Sequence, residues 1–155
     1  MGELSRPRRV VAIASGGGHW IQLQRLQPAF EGFDVAFVSV HRDYADDVPG
    51  RRYYVVPDVT RRNAIVLLLL IPRLALILLR ERPDVVITTG AAPGVMGLAL
   101  ARLFTPAKTI WIDSIANCEK LSTSGRQARR FAHEWLTQWP QLATPTGPHF
   151  WGAVL

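Results

Sequence analysis

The sequence predicts an α/β fold, a doubly wound parallel sheet in a single domain, and three observations predict it. Runs rich in Val and Ile recur along the chain, RVVAIA (9–14), DVAFVSV (34–40), DVVIT (84–88) and KTIWI (108–112), and they are continuously apolar rather than alternating. Such runs mark strands buried on both faces. Segments with helical spacing separate them, the order expected of a parallel sheet with crossover helices. A length of 155 residues suits one domain.

Arg9 to Ala14 forms the first strand and ends in glycines. Trp20 to Phe30 follows as a helix, with Ile21, Leu23, Leu26 and Phe30 on one stripe. Asp34 to Val40 is the second strand, His41 to Arg52 a polar loop holding Pro49-Gly50, and Tyr53 to Val56 a short third strand before Pro57. A long helix spans Arg62 to Glu81 and Pro83 stops it ahead of the strand Asp84 to Thr88. Pro93 to Phe104 is a helix whose Pro lies near the first turn, where the missing N–H is harmless. Lys108 to Ile112 is a strand, Asp113 to Gly125 a polar loop, Arg126 to Trp135 a helix and Leu136 to Trp139 a last short strand. Residues 1–8 read as a basic tail, 9–142 as the Rossmann-like domain and 143–155 as an unfinished tail.

With 48% hydrophobic and 19% charged residues the chain is expected to be globular rather than disordered. Its lone Cys118 excludes an internal disulfide framework and a Cys-built zinc site and fits a reducing compartment; no metal or cofactor is expected. The formal charge is +6, and Arg supplies sixteen of the eighteen basic side chains. Its planar fork suits phosphate and carboxylate. The arginines are scattered, and the tryptophans at 20, 111, 135, 139 and 151 form no stacking ladder. Nucleic acid is therefore not an expected partner.

The apolar stretch after the basic N-terminus, Val10 to Ala14, is too short for a signal peptide. Ala64 to Leu79 would be roughly 24 Å long as a helix, short of the roughly 30 Å hydrocarbon core, and Arg73 interrupts it. At 100° per residue Arg62, Arg73 and Arg80 fall within about 20° of one another on a helix that is otherwise mostly apolar. Such a helix has more apolar surface than one sheet face covers. Arg62, Leu69, Arg73, Leu76 and Arg80 are the expected membrane-association residues, the arginines reaching lipid phosphates. A buried core helix with snorkelling arginines, or a helix split at Pro72, fits the same pattern.

Ligands of doubly wound sheets sit at the carboxyl ends of the strands. Three loops emerge there. Ser15, Gly16, Gly17 and Gly18 with His19 join strand to helix, so their amides can face a phosphate or diphosphate. The dinucleotide pattern fails because Ile21 stands where its third Gly belongs, and no Lys-Ser/Thr completes a P-loop. A neutral His19 can hydrogen-bond a sugar hydroxyl or act as a base. Thr89, Gly90 and Ala91 open a second small-residue loop at a helix start. Asp113, Ser114 and Glu119 lie in the third, where a carboxylate can orient a hydroxyl or take its proton. Each loop also fits ordinary turn, packing or capping chemistry.

ASGGGHWIQLQRL (14–26), RPDVVITTGAAPG (82–94), KTIWIDSIANCEKLSTSGR (108–126) and LTQWPQL (136–142) resemble the oligosaccharide-biosynthesis family that supplies the membrane-bound subunit of the lipid-linked N-acetylglucosaminyltransferase. Its bacterial members accompany capsule and exopolysaccharide glycosyltransferases. The resemblance spans Val10 to Leu142 and implies half of a GT-B glycosyltransferase split between two chains, similar to the amino-terminal half of MurG-like enzymes. It implies that this chain handles a polyprenyl-diphosphate-linked acceptor while a donor-binding partner subunit holds the UDP-sugar. Gly16, Gly17, Gly18 and His19 would face the acceptor diphosphate, and Thr89, Gly90, Asp113 and Ser114 would line the cleft towards the partner. Many eukaryotic members of the family carry an amino-terminal membrane anchor; none is expected in this sequence, so attachment to the cytoplasmic face of a bacterial plasma membrane is expected through the helix from Arg62 to Glu81 or through the partner. The expected reaction is an inverting sugar transfer with His19 as first candidate base and Asp113 as second, and little activity without the partner. A non-catalytic recruitment module and a stand-alone nucleotide-binding enzyme remain alternatives.

Overall fold

The computed structural model describes residues 6–60 and 62–154. Seven parallel strands form one sheet: β1 Arg9–Ile13, β2 Asp34–Ser39, β3 Arg52–Val55, β4 Val85–Thr88, β5 Lys108–Ile112, β6 Glu134–Thr137 and β7 His149–Phe150, in the order β3-β2-β1-β4-β5-β6-β7. The helices are α1 Gly18–Arg25, α2 Leu67–Glu81, α3 Ala91–Phe104 and α4 Thr123–Ala128. Successive strand residues point to opposite faces. Val11 and Ile13 of β1 accordingly join Leu70, Leu74 and Leu78 of α2 and Leu98 of α3 in one core, while Val10 and Ala12 join Trp20 and Leu23 of α1 in the other. Both faces are covered, as the apolar runs require.

The direction in which successive strands are added reverses between β1 and β4: β2 and β3 lie to one side of β1, and β4 to β7 to the other. The turns after β1 and β4 flank this switch point, where a doubly wound sheet opens its crevice.

Several boundaries differ from expectation. The first helix ends at Arg25, and Gln27–Phe30 is a separate 3-10 turn with Pro28 near its start. The loop after β2 holds another, Arg42–Asp47. The long helix begins at Leu67 rather than Arg62, because Asn63 is non-helical and only a 3-10 turn, Ala64–Val66, precedes it. Pro72 does not split it. The expected helix Arg126–Trp135 is α4 alone: Ser122 caps it by accepting from Gly125 N at 2.8 Å, and Trp135 belongs to β6, paired with Trp111. After residue 142 the chain adds a further strand to the sheet. His149 and Phe150 pair with Leu136 and Thr137, and Trp151–Val154 return beside Leu26, Ile112 and Leu136, lining an open cavity of about 210 Å³.

On α2, Leu70, Leu74 and Leu78 are fully buried, while Leu69 and Leu76 are 64% and 67% exposed. Leu68 and Leu79 share that outer arc, which Arg73 and Arg80, both exposed, flank on one side, while Arg62 and Ile65 are exposed in the segment before the helix, where the helical phase that would align Arg62 with Arg73 and Arg80 does not extend. Burying a Leu contributes about 1.5–3 kcal/mol. The arc thus leaves substantial apolar surface uncovered by the fold. Among the described residues no helix is long and apolar enough to cross a membrane.

Candidate functional site

The β1–α1 turn is open and strained towards glycine. Gly17 adopts φ 65°, in the left-handed region that L side chains rarely enter, and a Cβ there or at Gly18 would meet nothing within 4 Å. Gly17 and Gly18 thus border open space at the start of α1, and free amides at a helix start can receive an anion. Gly17 N–H already donates to the Tyr44 hydroxyl at 3.0 Å. Tyr44 stacks on Trp20 with centroids 4.9 Å apart, and His41 meets Tyr44 edge-on at 5.0 Å. The loop after β2 therefore arches against the glycine turn, and a Cβ on Gly16 would strike the His41 ring at 2.7 Å.

His19, half-buried in the first turn of α1, ties this turn to the loop after β4. Its Nδ1 lies 3.0 Å from the Thr89 carbonyl oxygen, and the Thr89 hydroxyl donates to the His19 carbonyl at 2.7 Å. Thr89 is 1% exposed. Gly90 packs so closely that a Cβ would come within 2.4 Å of Nδ1. Ala91, next in the loop, has φ 65°, a strained conformation for a residue with a Cβ. Ser15 is buried and its carbonyl accepts from Ser39 Oγ at 3.3 Å.

The third loop joins the first through α1. Gln22, one turn beyond His19, donates to Ser114 Oγ at 3.1 Å and accepts at Oε1 from Ile115 N and Gln138 Nε2, at 3.4 and 2.8 Å. Asp113 is 1% exposed, and its carboxylate receives Trp111 Nε1–H, Asn117 Nδ2–H, Ser122 N–H and the Ser122 hydroxyl, at 3.1, 3.3, 3.1 and 2.6 Å. This carboxylate orders the loop from within. Glu119 is exposed on the outer part of the loop. The two glycine turns are thus bonded directly, Asp113 and Ser114 are joined to them through Gln22, and among the described residues no hydrogen bond draws Glu119 into the set. Arg62, Leu69, Arg73, Leu76 and Arg80 all lie on the exposed side of α2 or just before it, against the sheet face opposite α1.

Sequence reading missed His41, Tyr44, Gln22 and Gln138. Of these, Tyr44 offered a local signal as an aromatic in the polar loop after β2, and its stacking partner Trp20 lies in α1. Among the described residues no group of His, Cys, Asp or Glu side chains is arranged to hold a metal ion.

At the opposite, amino-terminal edge of the sheet, Arg52 pairs with Glu81 at 2.9 Å and with Asp34 at 2.9 Å, and the Tyr54 hydroxyl donates to Glu81 at 2.5 Å. Burial alone would raise the Glu81 carboxyl, but the hydrogen bonds from Arg52 and Tyr54 outweigh it and hold the group below its ordinary value. This cluster is far from the glycine turns along the strands and ties β3 to α2.

In comparisons with known proteins, a curated relative, the UDP-N-acetylglucosamine transferase subunit ALG14 of Eremothecium gossypii, is 27% identical over 168 residues, covering 88% of this chain and 75% of that protein. Solved structures share the fold. MurG of Acinetobacter baumannii superimposes with a TM-score of 0.69 at 15% identity, over 95% of this chain and 44% of its own. UDP-N-acetylglucosamine 2-epimerase of Rickettsia bellii does so with a TM-score of 0.66 at 16% identity, over 87% of this chain and 40% of its own. The chain therefore spans less than half the length of these structures. The profile of the family described as "Oligosaccharide biosynthesis protein Alg14 like" matches residues 59–154, more than half of the sequence and including the loops after β4 and β5. The chain belongs to this Alg14-like family of oligosaccharide biosynthesis proteins.

Proposed function

We propose that this protein is the acceptor-side subunit of a two-chain glycosyltransferase, which moves a sugar from a UDP-sugar of the N-acetylglucosamine or hexose type to a polyprenyl-diphosphate-linked acceptor in oligosaccharide or polysaccharide synthesis. The observation that carries it is the crevice at the switch point, where two glycine-containing turns meet through His19 and Thr89 and the Gly17–Gly18 backbone borders open space. Backbone donors at a helix start suit a diphosphate. Family membership and the name of the Eremothecium gossypii relative support a transferase subunit.

In this reading the acceptor hydroxyl attacks the sugar's anomeric carbon, the bond to the UDP oxygen breaks, and UDP leaves with the electron pair. The hydroxyl proton passes to His19, whose Nε2 has no hydrogen-bond partner among the described residues. Asp113, with its carboxylate filled by four donors, keeps the third loop in shape rather than taking that proton. Ser114 lines the cleft beside it, and Glu119 is available to a partner or substrate. The partner subunit binds the UDP-sugar.

Attachment is assigned to the outer face of α2, with Leu69 and Leu76 in the headgroup layer and Arg62, Arg73 and Arg80 on lipid phosphates at the cytoplasmic face of a bacterial membrane. The decisive experiment is Gly17→Leu in the complex with its donor-binding partner. Turnover is expected to fall at least about 100-fold while the partner still binds. Unchanged turnover would make the chain a recruitment module, and transfer by the isolated chain would remove the need for a partner.

A further inference from the structure

We infer that the Thr89–Gly90 segment is a positioning element that holds His19 as the Nδ1–H tautomer and leaves Nε2 as the ring's lone pair. The inference rests on the reading of His19 as base and adds how that base is prepared. A carbonyl oxygen can only accept, so the 3.0 Å contact between Nδ1 and the Thr89 oxygen requires Nδ1 to donate. In the neutral imidazole the proton then sits on Nδ1 and the basic electron pair on Nε2. Free histidine in water prefers the reverse arrangement, so the protein must impose this one.

Two further features impose it. The Thr89 hydroxyl donates to the His19 carbonyl at 2.7 Å, closing a reciprocal pair of bonds across the two turns. With Thr89 1% exposed, water does not compete for them. Gly90 makes the close approach possible: a Cβ would stand 2.4 Å from Nδ1 and 2.5 Å from Cε1, so any side chain there displaces the ring. Thr89 thereby changes role. Its hydroxyl is committed to His19, which makes it a positioning residue for the base and not a contact for the substrate. When Nε2 takes the acceptor proton, the resulting imidazolium keeps its Nδ1–H on the Thr89 carbonyl, and that bond strengthens as the ring becomes charged.

Nitrogen-15 NMR of the imidazoles in the intact chain tests this without the partner. Two-bond couplings distinguish the tautomers, and His19 is assigned by the signal lost in His19→Gln. The Nδ1–H form is expected at His19 when it is neutral; a predominant Nε2–H form overturns the inference. Gly90→Ala, with its fold verified from the sheet amides, is expected to lose that signature and, in the partner complex, about 100-fold in turnover. Retention of both overturns it. Thr89→Val should lower kcat about tenfold with KM unchanged, and Thr89→Ser should restore it. A rise in KM alone would mean that the hydroxyl touches substrate, contrary to the inference. Full turnover by His19→Gln, with the Nδ1–H signature intact in the unaltered chain, would sink the base assignment while leaving the tautomer assignment standing.

Discussion

Ser122 donates twice to Asp113, from its amide to Oδ2 at 3.1 Å and from its hydroxyl to Oδ1 at 2.6 Å, while the same hydroxyl oxygen caps α4 by accepting from Gly125 N at 2.8 Å. The loop after β5 is closed on itself by this pair. Asp113→Asn would turn an amide NH2 towards donors and is expected to cost about 2–3 kcal/mol. Ser122→Ala removes a cap and one carboxylate donor, for about 1–2 kcal/mol. Both would be measured by denaturant unfolding. If Asp113→Asn proves as stable as the parent yet inactive, Asp113 works in the chemistry after all.

Gln138 lies at the crossing of three segments. Its Nε2 serves Gln22 and the Asp113 carbonyl, and its Oε1 accepts from Val154 N at 2.8 Å. Gln138→Ala should therefore release the segment after Trp151 as well as weaken the α1 contact, at a cost of about 1–3 kcal/mol. Hydrogen exchange at Val154 is expected to accelerate by at least about tenfold, with β1 and β4 protection unchanged. Equal acceleration across the sheet would show that the effect is global instead.

The outer face of α2 gives a prediction independent of the crevice. Leu69→Glu and Leu76→Glu lie on exposed positions, so stability should stay within about 0.5 kcal/mol. Sedimentation with anionic vesicles should drop sharply for both. Arg73→Glu should weaken the same binding and reduce its dependence on salt, since exposed charges act through a screened field. Vesicle binding that survives all three changes places attachment elsewhere.

Glu81 sets an acid limit on stability. Its folded-state pKa lies below the ordinary carboxylate value, so its contribution is present above the unfolded value of about 4.3 and disappears as pH falls through the folded value. Arg52→Met should cost about 2 kcal/mol at neutral pH, discounted because Arg52 itself is 45% exposed. It should also move the acid unfolding midpoint upward, because burial then acts on Glu81 with Tyr54 as its remaining hydrogen-bond donor. An unchanged midpoint would show that the pair contributes little.

The strands β1, β2, β4 and β5 were legible because a parallel sheet buries both faces of its central members, which leaves unbroken Val and Ile runs. Of the last two, β6 was legible only in part, the expected strand Leu136 to Trp139 sharing Leu136 and Thr137 with it, and β7 was not legible at all. EWLT and HF are too short and mixed to announce themselves, and the ladder of β6 with β5 overrode the helical look of the segment ending in Trp135. The glycine turn and His19 were visible because they are contiguous in the chain. The polar partners behind them were not, since a Gln on a helix carries no local mark and Gln22 meets Ser114 and Gln138 from 92 and 116 residues away.

The position of β1 in the middle of the sheet also shapes how the molecule comes into being. During synthesis β1 can pair with β2, and β2 with β3, early, but the other flank of β1 waits for β4, whose first residue is Val85. Until then the nascent half-sheet offers a bare row of amides and carbonyls together with the leucines of α2, the features that invite wrong pairing. Cells making this protein quickly should therefore lose more of it to aggregation than cells making it slowly, and a circular permutant that brings β4 and β1 out together should escape that penalty.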